Sequence, residues 1–156
     1  MRSRFWVSFV IAALAGLAGK ARAADTGTIS VTVSLETVLS VTVTSDSWNI
    51  GPIALSGTSG PTSFTATVGN SATKLEIKGS DGAGGWTIAA TPALDQFRVA
   101  VTSPTLTLTT SYQVLASSVA AYGSKQFALT YSAPTSDSKG AGVSQNFTVT
   151  VRASAP

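Results

Sequence analysis

The chain has 156 residues, with ten lysines and arginines against seven acidic residues and neither histidine nor cysteine. That excludes Ser-His-Asp and Cys-His nucleophile systems, the usual zinc ligand sets, disulfides and a lipidated cysteine. The basic excess sits in Arg2, Arg4, Lys20 and Arg22; beyond them six basic and seven acidic residues remain, a net charge of −1, and no cationic patch is left for a nucleic acid.

Residues 1–23 read as a cleaved secretory signal. Arg2 and Arg4 make a positive start, residues 5–18 are an apolar run, and Ala21-Arg22-Ala23 puts small residues where signal peptidase inspects. Cleavage is expected before Ala24, with Ala18 and Ala21 as alternative sites. A retained membrane anchor would need about 20 apolar residues, more than this run provides. The membrane is therefore expected to matter only during export. The expected product, residues 24–156, has 133 residues, enough for one domain with its own core. It contains 22 threonines and 20 serines against 13 charged residues, so its surface is hydroxyl-rich and copies repel one another weakly. Threonine and β-branched aliphatic residues favour pleated, half-buried surfaces.

Residues 28–35 alternate without a break: Ile29, Val31, Val33 and Leu35 fall on one face, Thr28, Ser30, Thr32 and Ser34 on the other. Glu36-Thr37 follows as a turn or bulge, and residues 38–44 continue as strand. Residues 48–50 lead into Gly51-Pro52, and residues 53–55 form an edge or a bend, because proline donates no ladder hydrogen bond. A strand over 63–68 turns Phe64, Ala66 and Val68 inward. In 73–78, Leu75 and Ile77 face in, and Lys74, Glu76 and Lys78 face out as solvated charges guarding an edge. Residues 79–85 are a flexible Gly-rich turn before a strand over 86–90. Pro92 to Asp95 suggest one helical turn. Strands follow over 96–102, 105–109 and 112–115. Residues 116–125 are ambiguous: Tyr112, Leu115, Val119 and Tyr122 have helical spacing, while the serines and Gly123 favour a loop. Strands over 126–132 and 143–152 flank a long polar connection. Nine or ten short strands with regular turn signals predict an all-β, antiparallel two-sheet sandwich, broadly immunoglobulin-like, with a jelly roll as second choice. Its expected core includes Trp86, Ile88, Phe97, Val99, Phe127, Leu129, Phe147 and Val149.

Chemistry-bearing residues are few. Glu36 and Glu76 could be paired as glycosidase carboxylates, but as isolated strand charges both are expected to face solvent. Asp81 and Asp137 stand in Gly/Ser-rich turns, where aspartate stabilises the turn. No Asp-x-Asp run supports a calcium loop, so no metal or other cofactor is expected. Asn146-Phe147-Thr148 fits a glycosylation pattern placed inside the last strand. Trp48 and Trp86 are the most distinctive side chains. Exposed, they would form a glycan platform; their inward positions favour the core.

The run Gly79-Ser80-Asp81-Gly82-Ala83-Gly84-Gly85-Trp86-Thr87-Ile88 resembles the Asp/Gly turn and Gly-Trp-x-Leu of the WxL domains of bacterial cell-surface proteins. Residues 27–31 and 147–151 resemble that family's opening and closing strands. Ile88 replaces the motif leucine, the second Trp-x-Leu is absent where Val151-Arg152-Ala153 stands, and Trp48-Asn49-Ile50 has the spacing but comes early. The resemblance implies noncovalent attachment to peptidoglycan. In architecture the chain is also similar to the subunits of donor-strand filaments, small exported sandwiches led by an N-terminal strand.

These readings lead to a secreted, non-enzymatic protein of the extracellular cell surface. The first expectation is a structural one: self-association, or association with other surface proteins, as a filament or surface-layer subunit. In that reading Ile29, Val31, Val33 and Leu35 form an assembly strand within residues 24–35 that completes a neighbour's sheet; against it stands an ordinary first strand paired within its own sheet, because consecutive strands usually neighbour each other. The alternative is a WxL-like module binding cell-wall glycan through Trp48 and Trp86.

Overall fold

The computed structural model describes residues 30–33, 38–140 and 142–156. The chain divides into two compact units, Met1–Ser34 and Leu35–Pro156. The expected signal segment lies outside the described residues, as do Ile29, Leu35 and Glu36. Of the first unit, residues 30–33 are described. They adopt no regular secondary structure, and Val31 and Val33 are 78% and 79% exposed.

The second unit is an all-β sandwich. Its strands are β1 (Val41–Val43), β2 (Thr62–Val68), β3 (Thr73–Gly79), β4 (Thr87–Ile88), β5 (Gln96–Thr102), β6 (Thr105–Thr107), β7 (Gln113–Val119), β8 (Ser124–Ser132) and β9 (Val149–Ser154). The larger sheet runs β1-β2-β8-β5-β4, with β6 also on β5; the smaller runs β7-β3-β9. All pairings are antiparallel except the two-residue β4–β5 contact, which is parallel. That parallel pair departs from the purely antiparallel expectation. It arises because residues 89–95 loop back instead of making a hairpin.

Period-two alternation decides what is buried. Phe64, Ala66 and Val68 on β2, Phe97, Val99 and Val101 on β5, and Phe127, Leu129 and Tyr131 on β8 form one wall of the core. Leu75 and Ile77 on β3 and Leu115 and Val119 on β7 form the other. Of the expected core residues, Phe97, Val99, Phe127 and Leu129 are buried; Trp86, Ile88, Phe147 and Val149 pack against that core while partly exposed. The side of the sandwich beyond β6 is closed by the chain itself. Leu108, fully buried, donates its N–H to Val99 O at 2.8 Å, and Gly79 N donates to Thr109 O at 2.9 Å, so residues 108–109 bond to both sheets.

Several expectations are corrected. β3 is the middle strand of its sheet, not an edge; Glu76 is nearly buried there and paired with Arg152 and Lys74. Of the edge or bend expected over 53–55, the bend is what forms: there is no strand, and a tight turn follows, with Gly57 N bonded to Ala54 O at 2.9 Å. Residues 92–95 form no helical turn: Ala93 and Leu94 make isolated bridges to Gln96 and Ser136, and Asp95 adopts a left-handed φ of 54°. Residues 113–119 are one strand. Its register against β3 slips twice, each time with an extra residue on β7. Leu115 and Val119, both buried, are four residues apart, a separation that shares one face in a strand as well as in a helix. The last strand starts at Val149 rather than Val143, so Asn146-Phe147-Thr148 precedes it.

Candidate functional site

The end strands of the two sheets, β1 and β9, lie on the same side of the sandwich. Among the described residues no strand pairs with the outer edge of either. The seam between them is a cleft of about 1290 Å³. Its floor is made of core side chains from the large sheet, Phe64, Phe127, Leu129 and Tyr131. One wall is Val43 with residues 45–53, the other residues 145–151.

Exposure follows from this geometry. On central β3 the inward residues Leu75 and Ile77 are fully buried. On β9 the inward residues Val149, Val151 and Ala153 are only partly buried, as are Val41 and Val43 on β1. These apolar side chains have the right face but lack a flanking strand. Their residual exposure leaves hydrophobic stabilisation unrealised at ~25 cal/mol per Å² of apolar surface.

Aromatic rings line part of the seam. Trp48 meets Phe64 and Phe147 edge-on, each at a centroid distance of 6.2 Å, and its Nε1 donates to Thr62 Oγ1 at 3.1 Å. Phe147 reaches across to Phe97 (4.9 Å) and Tyr131 (5.8 Å). Burial of the Tyr131 phenol pushes its pKa up to about 12. The lining carries two carboxylates, Asp46 and Asp137, and no lysine or arginine.

Trp86 also borders the cleft, half-buried. Its Nε1 donates to Asp137 Oδ1 at 3.1 Å, and that oxygen also accepts Lys139 N at 2.7 Å. The Gly-rich loop before it, read from sequence as flexible, is tied down. Gly82 N donates to Trp86 O (2.8 Å), Ala83 N to Asn146 O (2.8 Å), Thr148 N to Ser80 Oγ (2.9 Å) and Ile88 N to Asp81 Oδ1 (2.8 Å). Asp81 and Asp137 are thus structural acceptors, as their turn positions suggested. Gln145 takes up the space beside the glycines: its Oε1 accepts Trp86 N at 3.3 Å, and a Cβ on Gly84 would come within 2.2 Å of its Nε2.

The structure therefore brings Trp48 and Trp86 to one cleft but leaves neither as a free platform. Each indole N–H is already bonded, and Trp48 packs against two phenylalanines. Glu76 is placed elsewhere, on the outer face of the small sheet. The Arg152 guanidinium, donating to Oε2 at 2.9 Å, holds its carboxyl below the ordinary range, against the opposing effect of burial. A carboxylate kept ionised in this way is ill suited to act as a general acid. Sequence reading missed the wall formed by Ile50, Ile53 and Gln145. The stretch holding Ile50 and Ile53 has no periodicity, with only Pro52, which bars a regular strand, hinting that the chain runs along an edge there; Gln145 stood as a polar residue at an inward position of the strand expected over 143–152.

What this arrangement offers is a groove with an apolar floor and an open strand edge. It suits an extended chain that can pair its backbone and bury alternate side chains. It is larger than the ~300–1,000 Å³ usual for small-molecule sites. No family model matches this chain, and no curated protein or solved structure does either.

Proposed function

We propose that this protein is an exported, non-enzymatic structural component of a cell surface that self-assembles by donating its N-terminal strand. The observation that carries the reading is the unsealed seam: residues 108–109 bond to both sheets on one side, while on the other, among the described residues, no strand pairs with the outer edge of β1 or β9. The chain also contains an alternating segment, residues 28–35, that supplies the kind of strand the seam lacks. A weakly charged, hydroxyl-rich surface offers little repulsion between copies. Head-to-tail donation builds an open fibre whenever the rotation between copies does not close.

Negative-stain microscopy of protein beginning at residue 24 tests this, alongside the same protein lacking residues 24–34. The longer protein is expected to form fibres or ordered arrays. The shorter is expected to stay dispersed and to bind a synthetic peptide of residues 24–35. A full-length product that remains monomeric at high concentration, with a truncated form that simply unfolds, would remove the proposal.

A second reading is favoured by the meeting of Trp48 and Trp86 on one cleft: a cell-wall glycan-binding module like the WxL domains. It predicts retention of the protein on purified peptidoglycan, lost when both tryptophans are changed to alanine in a protein that still folds.

A further inference from the structure

We infer that the acceptor for the donated strand is the outer edge of β9, that its occupant is residues 29–35 of a second copy, and that the two run antiparallel with Ile29 opposite Ala153 and Leu35 opposite Phe147. This rests on the strand-donation reading and adds the place, the polarity and the register.

The place follows from what is uncovered. β9 is bonded to β3 on one side, from Gly79↔Val149 to Lys74↔Ser154. Its other edge presents backbone groups that no described strand uses, and unpaired strand edges are templates for added chain. The inward positions along it are Val149, Val151 and Ala153, and Phe147 two residues before it continues the same face; all four are partly buried.

The register follows from matching periods. Both segments present four inward residues at every second position: Ile29, Val31, Val33 and Leu35 on one, and 147, 149, 151 and 153 on the other. Each set spans about 20 Å at ~3.4 Å per residue. Full overlap uses all four on both sides, and a two-residue slip would strand an apolar side chain at each end. A one-residue slip would turn Thr28, Ser30, Thr32 and Ser34 into the apolar floor.

The polarity separates a second copy from the chain's own segment. Val38 N donates to Asn70 Oδ1 at 2.9 Å and Gly69 N to Ser40 O at 3.1 Å, so residues 38–40 are held beside the β2–β3 turn. β9 ends at that same end of the sandwich, where Ser154 pairs with Lys74 at the start of β3. A segment reaching Val38 from its own seam would run toward that end, as β9 does, and could pair with β9 only in parallel. A second copy's segment has no such tether and can take the antiparallel ladder, the more stable pairing per residue.

The absence of native cysteine makes disulfide trapping clean. Ile29→Cys and Ala153→Cys proteins, each beginning at residue 24, are mixed, assembled and oxidised. The expected result is a disulfide joining one copy of each in most assembled protein. Leu35→Cys mixed with Ala153→Cys is expected to give none, since those positions would lie about 20 Å apart, beyond disulfide reach. In parallel, amides of residues 149–154 in the protein lacking 24–34 are expected to gain at least tenfold protection from hydrogen exchange when the 24–35 peptide is added. An intramolecular disulfide in the Leu35→Cys/Ala153→Cys double variant would overturn the inference in favour of closure by the chain's own segment. Fibres that still need residues 24–34 but yield neither cross-link nor β9 protection would overturn the acceptor while sparing strand donation. No assembly at all would remove both.

Discussion

Phe97 has no exposed surface and touches the rings of Tyr131 and Phe147, so it ties the floor of the seam to the segment entering β9. Phe97→Ala should cost about 3–5 kcal/mol by loss of transfer energy and creation of a cavity, read as a lowered urea midpoint with unchanged slope. Trp86→Ala should cost less, about 2 kcal/mol, because the ring is only half-buried and its removal opens onto the cleft. Charged residues add a pH dependence with a defined sign. Arg152 lowers the Glu76 pKa from its ordinary 4.5, so the pair contributes stability above that pH and loses it as pH falls through the folded-state value. Glu76→Gln should therefore lower the melting temperature at neutral pH while leaving it little changed in acid, which flattens the acid limb of the profile. Tyr131 acts at the other extreme. Its phenol titrates near 10 when unfolded and about 12 when folded, so stability should decline as pH rises from about 10 to 12. Tyr131→Phe should remove that part of the decline.

At the level of elements, the short β4 depends on a glycine. A Cβ on Gly79 would lie 2.5 Å from Ile88 Cδ1, so the present position of the Ile88 side chain over β3 requires the missing side chain. Gly79→Ala should push Ile88 outward and cost about 1–3 kcal/mol, the range of an overpacked core. The effect should be local: faster hydrogen exchange at Thr87 and Ala89, whose N–H groups donate to Asp95 O and Phe97 O, with little change on β2 and β8. Gly84→Ala makes a useful contrast. Its Cβ would meet only the end of the flexible Gln145 side chain, so the loop should tolerate it. A second element-level feature is the long 133–142 connection. Asp95 anchors it, accepting Ser138 N at 2.7 Å, Ser138 Oγ and the Lys139 ammonium at 3.3 Å.

For the whole molecule, assembly through backbone pairing and apolar side chains differs from assembly through charge. The proposed contact brings Ile29, Val31, Val33 and Leu35 against β9, and the cleft lining holds no lysine or arginine. The assembly rate of protein beginning at residue 24 should therefore change by less than about threefold between ~0.05 and ~0.5 M NaCl, although screening shortens severalfold over that range. Light scattering at the two salt concentrations measures it. A steep fall with salt would mean that charges, not the seam, bring copies together.

Alternation alone identified β2, β3, β5 and β8 and the residues each turns inward, because a strand with one buried face must write period two into its sequence. It also separated the hydroxyl-rich exterior from the core, but of the alternating run 28–35 the described residues 30–33 form no strand. Other features depended on partners distant in sequence. Whether 73–79 is a middle or an edge strand is set by β7 and β9 lying on either side of it, and three outward charges read the same in both cases once Arg152 is available to pair with Glu76. The two bulges of β7 broke its alternation, leaving Ser117 exposed between Leu115 and Val119, whose four-residue separation fits a helix as well as a strand. The half-burial of Trp48 and Trp86 could not be read locally, since it depends on the cleft that residues 45–53 and 145–151 form from opposite sides. The seam itself belongs to no single segment. It exists because residues 108–109 bond to both sheets on one side, while among the described residues no strand pairs with the outer edge of β1 or β9 on the other.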